Sequence, residues 1–463
     1  MTGVDSAASR VLWLDRLDPP VALRAPLDGD ADVDVAIVGG GYSGLWAAYY
    51  LIRQSPELRI MVIDRHHCGF GASGRNGGWA VGELAGSFDA YAERSSPAES
   101  LRLARAMFDS VDEIGRVTSA EGIDCHYAKG GTIRVARNAP QAARQAAEID
   151  EVREQGFTED EIRLLDADEA RRHLNATEVR SGIFFAATAA IDPALLVRGL
   201  AATVEAAGVR ICEQTTVRRI GERSVHTTGG TVTADVVVRA TEAYTRDLEG
   251  DRLALLPVYS LMVATEPLDN AVFDEIGLAG RPTFADDRHM VIYGQRTADN
   301  RIAFGGRGVP YGFGSTIDKR MEFHKPSHER IRDTLVDMLP ALADAEITHR
   351  WGGVLGIPRN WVPGLTYDRY RGLGTLGGYV GEGVAAANLA GRTMAELILG
   401  RDTDRTSLPW VGATARRWEP EPFRWLGVRS SRAILNAADD YEYRTQTEAS
   451  RAFALSRFLR GGN

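Results

Sequence analysis

Three glycines at GxGxxG spacing occur in Gly39-Gly40-Gly41-Tyr42-Ser43-Gly44. They directly follow the apolar run Asp34-Val35-Ala36-Ile37-Val38, and Asp64 closes the next apolar run twenty residues beyond Gly44. Glycines at this spacing permit a tight turn and close approach of backbone N–H groups to a pyrophosphate at a helix N-terminus. An acid at that distance can accept hydrogen bonds from ribose hydroxyls. The segment therefore reads as a dinucleotide site rather than a structural glycine turn, with Gly39, Gly41, Tyr42, Ser43, Gly44, Asp64 and Arg65 as its cofactor residues. Ser43 does not make a hydrolase nucleophile elbow, because its neighbours Tyr42 and Gly44 do not meet GxSxG.

Two further glycine-rich stretches bear on which dinucleotide binds. Gly69 to Trp79 reads GFGASGRNGGW, so dense in glycine that a large rigid ligand is expected along its backbone, with Gly71, Ala72, Ser73, Arg75, Asn76, Gly77 and Gly78 in contact. Near the other end, Gly377 to Val384 reads GGYVGEGV and opens a helix. Gly381, Glu382, Gly383 and Val384 would there aim the positive end of a helix dipole at a flavin ring. Two such sites at opposite ends of the chain suit FAD better than NAD. Val217, Ala240 and Thr241 complete the cofactor set.

The elements that must hold these residues follow from periodicity. Asp34 to Val38 and Arg59 to Asp64 are buried parallel strands flanking a helix from Leu45 to Ile52, the start of a doubly wound sheet. Helices are predicted over 98–120, 140–155, 194–207 and 385–399, and strands over 131–135, 209–212, 234–240 and 373–378. Between Pro257 and Gly306, strands over 258–265, 289–293 and 301–304 form an antiparallel wall. The fold class is α/β, a Rossmann-type FAD-binding domain interleaved with an α+β substrate domain containing a mainly antiparallel sheet. Its expected parts are an irregular arm (1–31), an FAD domain (32–90, 185–250 and 350–400), a substrate domain (91–184 and 251–349) and a helical tail (401–463).

Composition narrows the function classes. With 54 basic and 63 acidic residues the net charge is -9, which disfavours nucleic acid as a partner. Cys68, Cys125 and Cys212 are too few and too scattered for a disulfide framework or zinc site, and neither a signal peptide nor a spanning run is evident, so a cytoplasmic location is expected. His66-His67-Cys68 points in different directions, and Pro326 between His324 and His328 argues against a shared helical face, so no metal is expected. The basic, aromatic tail with Arg416, Arg417, Trp418, Arg424, Trp425 and Arg429 has three readings, contact with an anionic membrane, electron transfer to a quinone-linked partner and packing on the body, of which packing is preferred.

The chain resembles the D-amino-acid oxidase/glycine oxidase class of FAD-dependent flavoproteins, in its γ-glutamylputrescine oxidase-like branch. The resemblance is carried by the GxGxxG unit, GASGRNGG, Val238-Arg239-Ala240-Thr241-Glu242-Ala243-Tyr244, GGRG at Gly305 to Gly308, Trp351-Gly352-Gly353 and GYVGEGV. It implies an FAD domain woven with a substrate domain whose sheet covers the flavin, and oxidation of amines to imines. Relatives that link flavin covalently use a cysteine late in the chain or a histidine in the first flavin loop. Here the last cysteine is Cys212 and the loop has no histidine, so FAD is expected to be non-covalent. The sarcosine-type GHGxK reads Gly381-Glu382-Gly383-Val384-Ala385, which suggests a substrate whose reacting end is cationic.

The candidates for the substrate pocket are Glu382, Arg307, Trp351, Tyr259, Tyr293 and Trp79. Glu382 has two readings, attraction of an ammonium group and charge at a helix start. The aromatics have two as well, an amine pocket and ordinary packing. Arg307 is either surface-exposed or a positive charge assisting oxygen reduction, because the strand position where relatives carry a lysine is Ala303. The expected reaction is hydride transfer from a neutral amine to flavin N5, giving an imine that hydrolyses, with O2 or another compound as acceptor. A dehydrogenase, a flavin hydroxylase and an electron-transfer subunit are the alternatives.

Overall fold

The computed structural model describes residues 10–307 and 311–449, apart from the side chain of Arg307. Its first sheet runs in the order Gly364–Asp368, Leu373–Gly377, Thr231–Arg239, Ala31–Val38, Ile60–Ile63, Arg210–Cys212, with a hairpin (Val217–Gly221, Ser224–Thr227) joined to Thr231–Arg239. From Leu373–Gly377 to Arg210–Cys212 every neighbouring pair is parallel. The registers Val38↔Arg239, Val38↔Ile63 and Arg239↔Thr375 bring the strands' C-terminal ends to one edge. Gly39, Asp64, Ala240 and Gly378, far apart in sequence, each follow one of these ends, the edge where ligands bind in open α/β sheets. The helices Tyr42–Gln54 and Gly383–Ile398 cross so closely that a Cβ on Gly391 would lie 2.6 Å from Trp46 Cβ.

The second sheet runs in the order Ile347–Ile357, Leu256–Thr265, Ile302–Arg307, Ile292–Arg296, Thr283–Asp286, Thr132–Ala136, Ser181–Phe185, Ile162–Asp166. All its pairings are antiparallel except Thr283–Asp286 with Thr132–Ala136. The interleaved α/β plan expected from sequence is therefore the fold observed. The sheet has one more strand between 257 and 306 than predicted, Thr283–Asp286, whose four residues are too few to show a period. The strand expected from His289 starts instead at Ile292, because the N–H groups of His289 and Met290 donate to Asp439 of the tail at 2.7 and 2.9 Å and not to a sheet partner.

Three boundaries differ from the sequence division. The cut at 350 falls inside Ile347–Ile357, which belongs wholly to the second sheet because it pairs along Leu256–Thr265. The helix Pro97–Ala120 buries Leu103, Met107, Val111 and Ile114 in the same core as the GxGxxG helix, not in that of the second sheet. Among the described residues of the tail only Phe423–Thr445 is helical, and residues 450–463 lie outside them. The arm is not wholly irregular: Leu12–Asp15 is a helical turn whose Trp13 is completely buried and donates its indole N–H to Asn76 O at 2.9 Å. Pro326 does not separate His324 from the helix of His328, since it lies in the first turn of Lys325–Met338, where proline is tolerated. Among the described residues there is no cluster of side chains that could hold a metal, and no helix is long and apolar enough to cross a membrane.

Candidate cofactor and substrate site

A cavity of about 1240 Å³, counting its open mouth, lies where the parallel strands end. Two helices start at it. In the first, Gly41 is the N-cap and the first intrahelical bond runs from Leu45 N–H to Gly41 O, so the amides of Tyr42, Ser43 and Gly44 precede the ladder. Tyr42 N–H donates to Ser73 Oγ at 3.0 Å, and Ser43 Oγ meets the Tyr379 hydroxyl at 3.0 Å, joining the first helix to the turn that opens the second. The second helix begins at Gly383, and its ladder starts with Ala386 N–H to Glu382 O. Gly39 is at φ 114° and a Cβ there would lie 2.3 Å from Ala240 O, so only glycine lets these two strand ends meet.

The walls include most of the predicted cofactor residues: Gly39, Gly41, Tyr42 and Ser43 from the first glycine turn, Asp64 and Arg65 after the second strand, and Gly71, Ala72, Ser73 and Asn76 from the loop. Val217, Ala240, Thr241, Gly381, Gly383 and Val384 close the remaining sides. Asp64 is fixed by its own neighbours, accepting from Gly40 N–H and His66 N–H, each at 2.8 Å; burial pushes its carboxyl up from the ordinary value against those bonds. A ribose hydroxyl fits such a group, as its proton gives the buried carboxylate a further donor.

Five predicted cofactor residues support the cavity from behind. Gly44 is a contact point, since a Cβ on it would lie 2.0 Å from Gly39 O. Arg75 turns away from the cavity because Glu322 holds it: Nη1 donates to Glu322 Oε2 at 2.5 Å, Nε donates to Phe70 O at 2.8 Å, and the guanidinium lies over the Phe70 ring. The carbonyls of Gly77 and Gly78 accept from Gln295 Nε2 at 2.7 and 3.1 Å, tying the loop to the second sheet. Glu382 occupies the N-cap position, and its side chain makes no capping bond there.

Sequence reasoning missed other wall residues. Glu242 stood inside a quoted motif without a role. It is a non-glycine residue at φ 45°, and its carboxylate accepts from Gly356 N–H at 3.0 Å and Gly378 N–H at 2.7 Å. It thus bridges the second sheet to the second glycine turn, and burial pushes its carboxyl up. His66 stacks on Phe70 with ring centroids 3.8 Å apart, and Tyr244 stands 6.4 Å from Phe70, giving one side of the cavity an aromatic wall.

The candidate substrate residues separate into groups. Trp79 and Tyr293 meet edge to face at 6.0 Å, and the Tyr293 hydroxyl bonds Ser260 Oγ at 2.7 Å. Trp351 is completely buried, pairs with Trp13 at 6.0 Å and donates to Arg75 O at 2.9 Å, outside the cavity lining. Tyr259 likewise faces away from the cavity: its hydroxyl accepts from Asp318 N–H at 2.8 Å and donates to Asp318 O at 3.1 Å within the second core. Arg307 ends the strand Ile302–Arg307 opposite Ser260, and its side chain lies outside the described residues.

Comparison with known proteins agrees with this geometry. The model of the FAD dependent oxidoreductase family DAO matches residues 34–397. A probable oxidoreductase, OrdL, of Rhizobium meliloti is 31% identical over 85% of this chain and 89% of its own length. The gamma-glutamylputrescine oxidoreductase of Escherichia coli is 31% identical over 85% of this chain and 91% of its own. Among solved structures, glycine oxidase from Geobacillus kaustophilus superposes with a TM-score of 0.70 at 21% identity, covering 84% of this chain and all of that one.

Proposed function

We propose, from the premise that the chain belongs to the DAO family of FAD-dependent oxidoreductases, that it oxidises a carbon–nitrogen bond in a small amine or amino-acid-like substrate. The observation that carries the reading is the convergence of two helix N-termini, at Tyr42 and Gly383, on one cavity beneath an antiparallel sheet. Such ends favour a pyrophosphate at one side and developing negative charge at the other. The relative named for γ-glutamylputrescine supports an amine as substrate.

FAD, when bound, supplies the two-electron acceptor for the substrate's Cα–H bond. The chain's own residues do the rest. Gly39 to Gly44 with Ser73 hold the pyrophosphate, Asp64 holds the ribose, and Gly381 to Val384 place positive backbone dipoles at the reacting ring. Trp79 and Tyr293, packed edge to face outside the cavity lining, and Arg307 at the end of Ile302–Arg307 are the candidates for the substrate's far side, and the charge of Glu382 acts from behind the lining on a cationic substrate. The amine reacts in its neutral form, and the imine takes up water to yield a carbonyl compound and an amine or ammonia. FAD is held without a covalent bond, and the three buried free cysteines suit a cytoplasmic setting.

The test is an anaerobic absorbance titration of the purified holoprotein with polyamines, γ-glutamylated amines, N-methyl amino acids and D-amino acids, followed by air. Bleaching of the flavin by one class establishes amine oxidation, and prompt recovery in air makes O2 the acceptor. Recovery only with an added quinone or dye makes the protein a dehydrogenase. A flavin that no amine bleaches overturns the proposal.

A further inference from the structure

The tail helix Phe423–Thr445 packs Trp425 and Val428 on the body but leaves several other large apolar side chains outside. The four residues it buries are Arg424, Ser431, Ala438 and Glu442, while Phe423, Leu426, Ile434 and Tyr441 are 69%, 50%, 37% and 41% exposed. A helix on a water-facing surface ordinarily turns such side chains inward. At 100° per residue the four exposed residues fall within a stripe about 80° wide and about 27 Å long, with the small residues Gly427, Ser430, Ala433 and Ala437 between them. Nine large apolar side chains are exposed among the described residues, and six are here: these four, plus Phe313 and Val291. The latter two sit on loops that the tail itself anchors, through Gly314 N–H to Glu421 and Met290 N–H to Asp439.

Charge identifies the occupant. Two of the helix's three acids, Asp439 and Glu442, are turned to the body, where they accept from His289, Met290 and Arg144; Asp440 alone is exposed. On the same count Arg444 falls at the stripe's edge and Arg429 about 60° beyond that edge, and both are exposed. A chain of net charge -9 thus carries a local cationic, apolar strip. A second copy docked symmetrically would set these arginines against their own counterparts, whereas an anionic bilayer offers counter-charge and an apolar layer at the same depth.

We infer that the outer face of the tail helix is a membrane-docking surface for anionic phospholipid, with Phe423, Leu426, Ile434 and Tyr441 entering the headgroup boundary and Arg429 and Arg444 beside them pairing with lipid phosphates. The inference is independent of the substrate assigned above.

The experiment is co-sedimentation of the holoprotein with vesicles of phosphatidylcholine alone and of phosphatidylcholine mixed with phosphatidylglycerol. The expected result is binding to the mixed vesicles only, weakened by added salt. Binding should fall roughly tenfold or more in Phe423→Ser/Leu426→Ser and in Arg429→Gln/Arg444→Gln, with FAD content and melting temperature unchanged. Equal binding by both double variants overturns the inference. So does absence of binding to either vesicle, which would leave the strip to an acidic protein.

Discussion

The ion pair of Arg75 and Glu322 joins the flavin loop to the second sheet's flank, with side chains only 9% and 8% exposed. Replacing Arg75 by Met leaves the Glu322 carboxylate buried beside Gly352 without its hydrogen-bonded cation and with only the weaker field of Lys319, a situation costing about 3–5 kcal/mol. Glu322→Leu strands the guanidinium, but its bond to Phe70 O and its stacking on the Phe70 ring remain, so that cost should fall at the lower end, about 3 kcal/mol. The double replacement removes both charges and fills the space with apolar atoms, and should lie within roughly 1–2 kcal/mol of the parent. Urea unfolding of the four proteins, each saturated with FAD, forms a double-mutant cycle whose coupling is expected to exceed about 2 kcal/mol. Because Gly71, Ala72, Ser73 and Asn76 of the same loop line the cavity, both single variants should also release FAD more readily, and the double should recover much of the affinity. A double variant as unstable as the two singles added together would refute the reasoning, because it would show the groups act independently.

Other outcomes follow from single contacts. Gly44→Ala places a methyl 2.0 Å from Gly39 O, so the protein should purify without flavin, read from its absorbance at the flavin band. Glu242→Ala leaves the N–H groups of Gly356 and Gly378 unpaired at about 1–3 kcal/mol each, and should lower stability and FAD retention together; Glu242→Gln, which keeps one acceptor oxygen, should lie between. Glu442 is held at about 2 by bonds from His289, Ala449 N–H and Arg144, which outweigh its burial. Its folded value is lowered, so its contribution is present above the ordinary carboxylate range and is lost as pH falls from about 4.5 towards 2. Tail release followed by Trp418 and Trp425 fluorescence should show that acid step in the parent, and Glu442→Gln should lack it.

The glycine turns were legible because close approach of backbone to a ligand leaves no alternative residue, so Gly39 and its neighbours state their purpose locally. Glu242 was not legible, since its role depends on amides 114 and 136 residues away along the chain. Trp351 and Tyr259 illustrate a different limit. An aromatic beside glycines declares bulk but not direction, and only the pairing of its strand decides which core receives it. Tyr293 and Trp79 face the same ambiguity and come together because Ile292–Arg296 crosses above the flavin loop. The tail shows the same dependence on context, as nothing in its local pattern says that Arg424 and Glu442 turn inward while Phe423 turns out.

The pairing of Ala31–Val38 with Thr231–Arg239 on one side, and of that strand with Leu373–Gly377, also governs the order of assembly. A nascent chain that has emerged only through its glycine turn owns one end of the cofactor's seat, and the opposite end is contributed by Gly381 to Val384. Contacts of such long sequence separation form late, after the intervening cover sheet has been synthesised. Tight capture of the dinucleotide therefore marks a finished polypeptide: ribosome-bound fragments ending before the second glycine turn should hold it weakly, and the bright yellow colour of a purified sample reports completed folding as much as cofactor supply.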